Sequence, residues 1–575
     1  MKKQTIFKIL ALLMPIFILV ILEGCLRIAG YGTDYTLFKK VNTGKSPAYL
    51  EMNKRIAGKY FKEAGLKADS QSDLFLEEKT DSTYRIVVQG ASTVVGFPFY
   101  RGGSFPRILK HRLSQTFPQK NIEVINTGIT AVNSYTLNDL TDQIIEQKPD
   151  LIIIYAGHNE YYGALGVGSS ISYGSHPLVI RSYLFLKDFR FFQLFENTYQ
   201  KLVSTTNQKT SERNTTLMEV MAKEQRITKD SDLYDQGLLQ FQNNMNRLLK
   251  TYENHNIPVL FSTLVSNIKD IEPFISDSIS DETAYLSRIE NADQSAIKLA
   301  QKNAKAAYLM GRYYLEKNKD SAKKYFVLAK ELDYLRFRAP EQINTLIEEL
   351  AKEHNSTLVD MNQVFEAHAS QQLIGDELMT EHVHPNVKGQ FLMADAFYSK
   401  MKEQNLISDW NNAIPYSEAI SDIPISRIDS LNGKLVVDEL KNSWPYDLNM
   451  SGKRPPSRYF QDYSYDNQMA DELHKKIRDW DQVMALAYKA YEADGDYEKA
   501  LHVAQSLIFE YPEQAKVYQM AGNAALKMND LTKALYYFKK FDAIENSSAS
   551  ARDLASVYKK LENADHEDAL PQSND

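Results

Sequence analysis

Residues 84–92 read YRIVVQGAS. Ile86, Val87 and Val88 make a short β-branched apolar run that stops at Gln89-Gly90, and one small residue later comes Ser92. A run of this kind, bounded by a turn signal, predicts a buried strand of a parallel sheet. The turn then lifts one hydroxyl out of the sheet's carboxyl end, where open α/β sheets bind their ligands. Further strands are expected at 122–126, 150–155, 258–263 and 357–360. Helices are expected near 103–115, at 134–147 and 237–254, and from Pro385 to about Met401. Strand alternating with helix predicts an α/β domain over 81–410, its parallel sheet covered on both faces.

The chain has 575 residues, too many for one core, so three or four structural units are expected. A quarter of the residues are charged and the formal net charge is −7, which gives no sign of a nucleic-acid surface. The single cysteine, Cys25, excludes an intramolecular disulfide framework and an all-cysteine metal site.

Lys2 and Lys3 precede an almost wholly apolar run, Thr5 to Leu22. As a helix it is about 27 Å long, enough to cross a hydrocarbon core. Residues 1–25 are therefore expected to be a transmembrane anchor or signal, with the charge bias putting the bulk of the chain outside the cytoplasm, in the periplasm or at the cell surface. Leu22-Glu-Gly-Cys25 resembles a lipidation signal, but Glu23 fits that pattern poorly, and an uncleaved anchor is the reading taken. Residues 26–80 are polar and mixed, and a stalk is expected.

Two helical insertions interrupt the α/β pattern. The first, 165–255, carries an aromatic-rich helix from Tyr183 to Tyr199, read as a core face with a membrane-surface helix as the alternative. Polar residues 204–232 follow, expected as a lid or loop. The second, 280–338, holds one weak tetratricopeptide-like repeat with Gly311, Tyr314, Ala322, Phe326 and Ala329. After a linker at 411–470, residues 471–575 show the 34-residue period more clearly. Ala500 pairs with Ala534 and Met484 with Tyr518, while Gly522, Phe538 and Pro512 take the tight-contact, aromatic and helix-stop positions. An all-α repeat module that docks a protein partner is expected there.

Ser92 needs a base, and a histidine titrating near neutrality suits that work. His384 lies three residues after Glu381 and just before Pro385, so the carboxylate can reach back to Nδ1 and leave Nε2 for the serine. Because that carboxylate sits on a loop, partial solvation is expected. His382 is expected as a surface neighbour; a His382/His384 metal pair is set aside, since residues two apart in an extended segment point to opposite sides. Donors for an oxyanion are available from the N–H of Ser92, the N–H of Ala131 in the turn Asn126-Thr-Gly-Ile-Thr-Ala131, and the side-chain amide of Asn159. Gly90 and Gly157 support the turns that carry them. No metal or cofactor is expected.

Gly90-x-Ser92, the turn ending at Ala131, Gly157-x-Asn159 and Glu381-x-x-His384-Pro resemble, in order, the four sequence blocks of the SGNH (GDSL-type) hydrolases. The resemblance covers about residues 81–264 and 339–404. It implies a three-layer α/β/α fold with a flavodoxin-like sheet, and ester hydrolysis through an acyl-serine. It further implies Ser92 as nucleophile, His384 as base, and Ser92, Ala131 and Asn159 as the oxyanion hole. Two positions depart from the pattern. Ala131 stands where the family has glycine, and since the donor is a backbone N–H alanine can serve if its φ is negative; Glu381 stands where the family has aspartate. Residues 90–94, Gly-Ala-Ser-Thr-Val, lack the second glycine of an α/β-hydrolase nucleophile elbow.

Together these readings predict an anchored, extracytoplasmic serine esterase that removes small acyl groups, acetyl for example, from envelope or extracellular glycans. A glycan O-acyltransferase using the same residues is the near alternative. A repeat-based scaffold with a vestigial hydrolase domain is the distant one.

Overall fold

A computed structural model describes residues 3–41, 47–61, 69–171, 176–204, 216–447 and 464–568. Residues 205–215 of the polar stretch expected as a lid, and 448–463 of the expected linker, lie outside the described residues.

The N-terminal helix Lys3–Ile28 contains Leu10–Ile28, which has a mean hydropathy of 2.2, is entirely unburied, and is long and apolar enough to cross a membrane. The region expected as a stalk instead folds onto the main domain. Strands β1 (Phe38–Val41), β2 (Tyr49–Met52) and β3 (Phe75–Leu76) form an antiparallel sheet. Leu37, Met52, Ile56, Tyr60 and Phe75 join the central core. Buried Arg85 locks this sheet down, pairing with Glu123 at 2.7 Å and donating to the Leu76 carbonyl, while the Leu76 N–H donates to Glu123. Strands of four and two residues leave no periodic trace, so their formation is dictated by burial and not by local pattern.

The parallel sheet comprises β4 (Thr83–Gly90), β5 (Asn121–Asn126), β6 (Leu151–Tyr155), β7 (Val259–Ser262) and β8 (Thr357–Val359), in the order β5-β4-β6-β7-β8. This is the 2-1-3-4-5 order of flavodoxin-like folds. Every residue of β6 is buried, as expected of a strand covered on both faces. Helices Phe105–Thr116 and Val387–Glu403 pack together on one face, and Ser134–Ile145, Asp232–Asn254 and Glu341–Glu353 on the other. The chain therefore has a three-layer α/β/α fold with an added helical region.

Between β7 and β8, four short helices build a small core of their own around Tyr285, Ala307 and Phe326. Gly311 faces the Phe326 ring, and Gly522 faces Phe538 in the C-terminal helices in the same way, so a Cβ at either glycine would crowd that ring. The aromatic stripe expected as a core face is two helices, Pro177–Lys187 and Arg190–Ser204, and Phe185 and Phe195 point largely to solvent. The linker reading is also corrected. Arg427–Lys441 is a helix packed on the C-terminal helices, and the residues after it return to cover the carboxyl end of the sheet.

The C-terminal helices dock on the α/β domain through buried charge. Arg107 sits between Asp73, at 3.1 Å, and Glu510, at 2.5 Å. Arg101 lies over the Trp480 ring at 3.8 Å, and Asp422 accepts from Lys533 at 3.0 Å. Removing one partner of a buried pair strands the other charge, at a cost of about 3–5 kcal/mol. Arg107→Ala is accordingly expected to lower unfolding stability by about 3–5 kcal/mol in denaturant titration. A loss below about 0.5 kcal/mol would mean that the contact is solvated and the helical region separable.

Candidate active site

The end of β4 cannot carry a side chain at Gly90, because a Cβ there would strike the Tyr155 carbonyl on β6. The chain turns at Ala91, and Ser92 opens a single helical turn, Ser92–Val95. As its first residue, Ser92 has an N–H with no partner inside the turn. Asn126, at the end of β5, steadies that turn: its amide donates to the Val94 carbonyl at 2.6 Å, and its Oδ1 accepts from the Gly128 N–H at 2.9 Å. Asn126 is thus used up in turn structure.

His384 arrives from the far edge of the sheet, on the loop after β8. The helix that follows it carries Gln390, whose Oε1 accepts from the Phe105 N–H at 2.9 Å, so this helix packs on the one following Ser92. That packing sets His384 Nε2 2.7 Å from Ser92 Oγ. Nδ1 is hydrogen-bonded to Glu381 Oε1. Phe97 covers the imidazole at 4.7 Å between ring centroids.

Glu381 is fully buried, contrary to the expectation of a partly solvated carboxylate. Its Oε1 also accepts from the His384 N–H at 2.8 Å. Oε2 accepts from the His382 N–H at 2.7 Å and from Tyr446 Oη at 2.6 Å, with His382 Nδ1 against the same oxygen. His382, expected at the surface, is buried beneath Phe274, Phe337 and Tyr446. Two residues apart they do not diverge, because 379–385 is a tight loop closed by the Met379–Pro385 bridge and by Thr380 on the His384 carbonyl. Tyr446 and His382 were missed as site residues. Tyr446 lies in a polar stretch 65 positions from its partner, where no local pattern marks it.

Ser92, Ala131, Asn159, His382 and His384 line one cavity of about 240 Å³, walled by Phe97, Tyr100, Tyr162, Met218, Met221, Phe337 and Leu440. The Asn159 side chain makes no hydrogen bond among the described residues, so turn structure does not account for it. Gly157, with φ +150°, has the backbone freedom that glycine supplies, and a Cβ there would meet Leu264 and Ile343. Ala131 does not meet the condition set for it: its φ is +57°, in the left-handed region. Among the described residues its N–H makes no backbone hydrogen bond, and its carbonyl accepts from the Ala164 N–H at 2.8 Å.

Burial pushes the His384 imidazole down, to about 3. The Glu381 carboxylate on Nδ1 favours the cation and works against that push. Burial also lowers His382 and lowers His158 to about 3, so both are neutral near pH 7. Glu160, next to Asn159, is pushed up to about 7 by burial, although it accepts from Gln240 and from the Ser134 hydroxyl at 2.7 Å. A neutral His384 can take the Ser92 proton as the hydroxyl attacks a carbonyl.

No family model matches the sequence, and a search of curated proteins finds no match. Solved structures similar to part of the chain include an acetyl xylan esterase, 13% identical, covering 55% of this chain and 98% of its own, with a TM-score of 0.27. An acetylxylan esterase from Geobacillus stearothermophilus is 14% identical over 57% of this chain and 95% of its own, TM-score 0.28. An alpha/beta hydrolase enzyme from the metagenome of Lake Arreo, Spain, is 11% identical over 56% and 95%, TM-score 0.27. These likenesses concern fold alone.

If Glu381 holds His384, Glu381→Ala should cost about 10⁴-fold in ester turnover, the size seen when a buried triad loses its carboxylate. Glu381→Gln removes the negative charge that favours imidazolium, so the acid limb of kcat/KM should move to lower pH. A limb that stays in place would show that Glu381 does not act on the titrating group. Tyr446→Phe, which removes a hydroxyl that contacts Glu381 and His382 outside the cavity, should lower kcat by about 3- to 10-fold with KM unchanged.

Proposed function

We propose that the protein is a membrane-anchored, extracytoplasmic serine esterase of SGNH type. Ser92 attacks the ester carbonyl while His384 takes its proton, and Glu381 orients the imidazole. The Ser92 and Ala131 N–H groups and the Asn159 amide receive the oxyanion. His384 then returns the proton to the leaving alcohol, and water releases the acyl group by the same route in reverse. The observation that carries this reading is the 2.7 Å contact from His384 Nε2 to Ser92 Oγ, with Glu381 on the opposite ring nitrogen and a cavity at the serine. A vestigial domain would have no need to keep a bare Asn159 amide on that cavity.

The acceptor we assign is an acylated glycan of the envelope or extracellular space, from the expected location, and the acyl group a small one such as acetyl. Residues 471–575, where Gly522 meets Phe538 as Gly311 meets Phe326 in the inserted helices, read as tetratricopeptide-type repeats that dock a protein partner.

A fluorophosphonate probe is expected to label the full chain and to leave Ser92→Ala and His384→Ala unlabelled. Absence of labelling in the folded wild type would overturn the esterase assignment. For topology, a reporter that works only outside the cytoplasm, fused after Gly32, should be active. Activity of a cytoplasm-only reporter at that position would reverse the orientation.

A further inference from the structure

Helices Pro177–Lys187 and Arg190–Ser204 each leave large apolar and aromatic side chains turned outward. Ile180, Leu184 and Lys187 of the first face the domain, as do Arg190 and Gln193 of the second. On the other side Leu178 is 65%, Phe185 63%, Phe195 55% and Tyr199 69% exposed. Phe185, Phe189, Phe191 and Phe195 form a continuous ring ladder across the break between the helices, with centroid spacings of 5.2, 5.5 and 6.3 Å. Outward aromatics at this density mark an interaction surface, since single exposed apolar residues need no explanation but a contiguous patch does.

What covers the patch follows from a second observation, its position along the N-terminal helix. Glu23 Oε2 accepts from the Phe191 N–H at 3.0 Å, and Arg27 donates to the Asp188 carbonyl at 3.2 Å. Thr33 N–H donates to Gln193 at 2.8 Å, and Asn197 donates to Tyr31 Oη at 3.0 Å. The helix break therefore sits against the last two turns of the apolar stretch Leu10–Ile28. If that stretch spans a bilayer, its end lies at the headgroup level, and so does the ladder.

We propose that the Pro177–Ser204 helix pair is a second membrane contact, lying in the lipid interface with its phenylalanine ladder in the headgroup–acyl boundary. Helices of this kind sink about 5–10 Å into that boundary. The pair is joined to the domain through Lys59, which bonds to Asp188 at 3.0 Å. The α/β domain is then held against the bilayer at fixed height and tilt, not left on a free tether, and its cavity works on esters within reach of that surface. The proposal rests on the anchoring read above, and its test separates the two.

The full chain in a Cys25→Ser background, free of other cysteines, takes single cysteines for an environment-sensitive fluorophore. Phe185→Cys and Phe195→Cys report on the ladder, Phe17→Cys on the span, and Ile477→Cys on an exposed apolar residue far from it. The protein is reconstituted in phosphatidylcholine vesicles with or without spin-labelled lipid, and iodide is the aqueous quencher. Lipid quenching at 185 and 195 comparable to that at 17, with iodide quenching about three-fold or more below that at 477, is the expected result. Iodide quenching at 185 and 195 equal to that at 477, with 17 still lipid-quenched, overturns the proposal and leaves the anchor standing. Shielding from both quenchers also overturns it, and assigns the patch to a second copy or a protein partner. Lipid quenching at 185 and 195 without quenching at 17 keeps the contact and removes the anchor; quenching at none of the three removes both.

Discussion

The arrangement at the carboxyl end of the sheet depends on one buried carboxylate. A charge taken out of water is tolerated only where donors surround it. Glu381 receives the backbone N–H groups of His382 and His384, the Tyr446 hydroxyl and both imidazoles. Satisfying these donors together fixes the loop from Met379 to Pro385 in one shape. That shape aims Nε2 of His384 at Ser92. An aspartate at this position would be one methylene shorter. The extra length lets one carboxylate serve two histidines, and His382 and Tyr446 in turn seal it from solvent beneath Phe274 and Phe337.

The parallel sheet was legible because its strands are continuous apolar runs closed by turn residues, a signal carried within five or six positions. That Ser92, His384 and Glu381 come together was legible because four weak motifs fall in order at the strand ends, although each alone says little. What escaped lacks a local signature. β1 and β3 hold four and two residues, and only the burial of Leu37, Met52 and Phe75 against distant strands makes them form. Tyr446 and Trp444 cover the site from a stretch that reads as polar linker, because their partners are Glu381 and Phe337.

The aromatic helices show a different limit. Periodicity tells that a helix has an apolar face but not what medium the face meets, since a protein core and a lipid interface select the same side chains. The distinction lies in which face the rest of the chain occupies. Here Gln193 turns inward to the Thr33 and Lys187 carbonyls and buried Lys187 pairs with Glu196, while Phe185 and Phe195 are left outside. Polar side chains buried beside exposed phenylalanines are not the pattern of a soluble surface helix, and this became visible only once the packing was known.

Ala131 carries the same lesson to the backbone. A non-glycine residue at φ +57° gives up about 1–2 kcal/mol to crowding between its Cβ and the next carbonyl. Such a conformation persists only when its surroundings over-determine it. They do so here: the Thr130 N–H is held by the Asp69 carbonyl, the Ala131 carbonyl takes the Ala164 N–H, and Gly163 packs against that carbonyl with no side chain to spare. Glycine at 131 would relax the crowding but would also widen the range of φ that the turn can sample in the unfolded chain. Alanine keeps the N–H at a fixed angle beside the cavity that Ser92 and Asn159 share. An N–H held in place before any oxyanion forms need not be reorganised when it does. The strain therefore marks Ala131 as more than an ordinary turn residue, since its surroundings hold it at a positive φ beside the cavity.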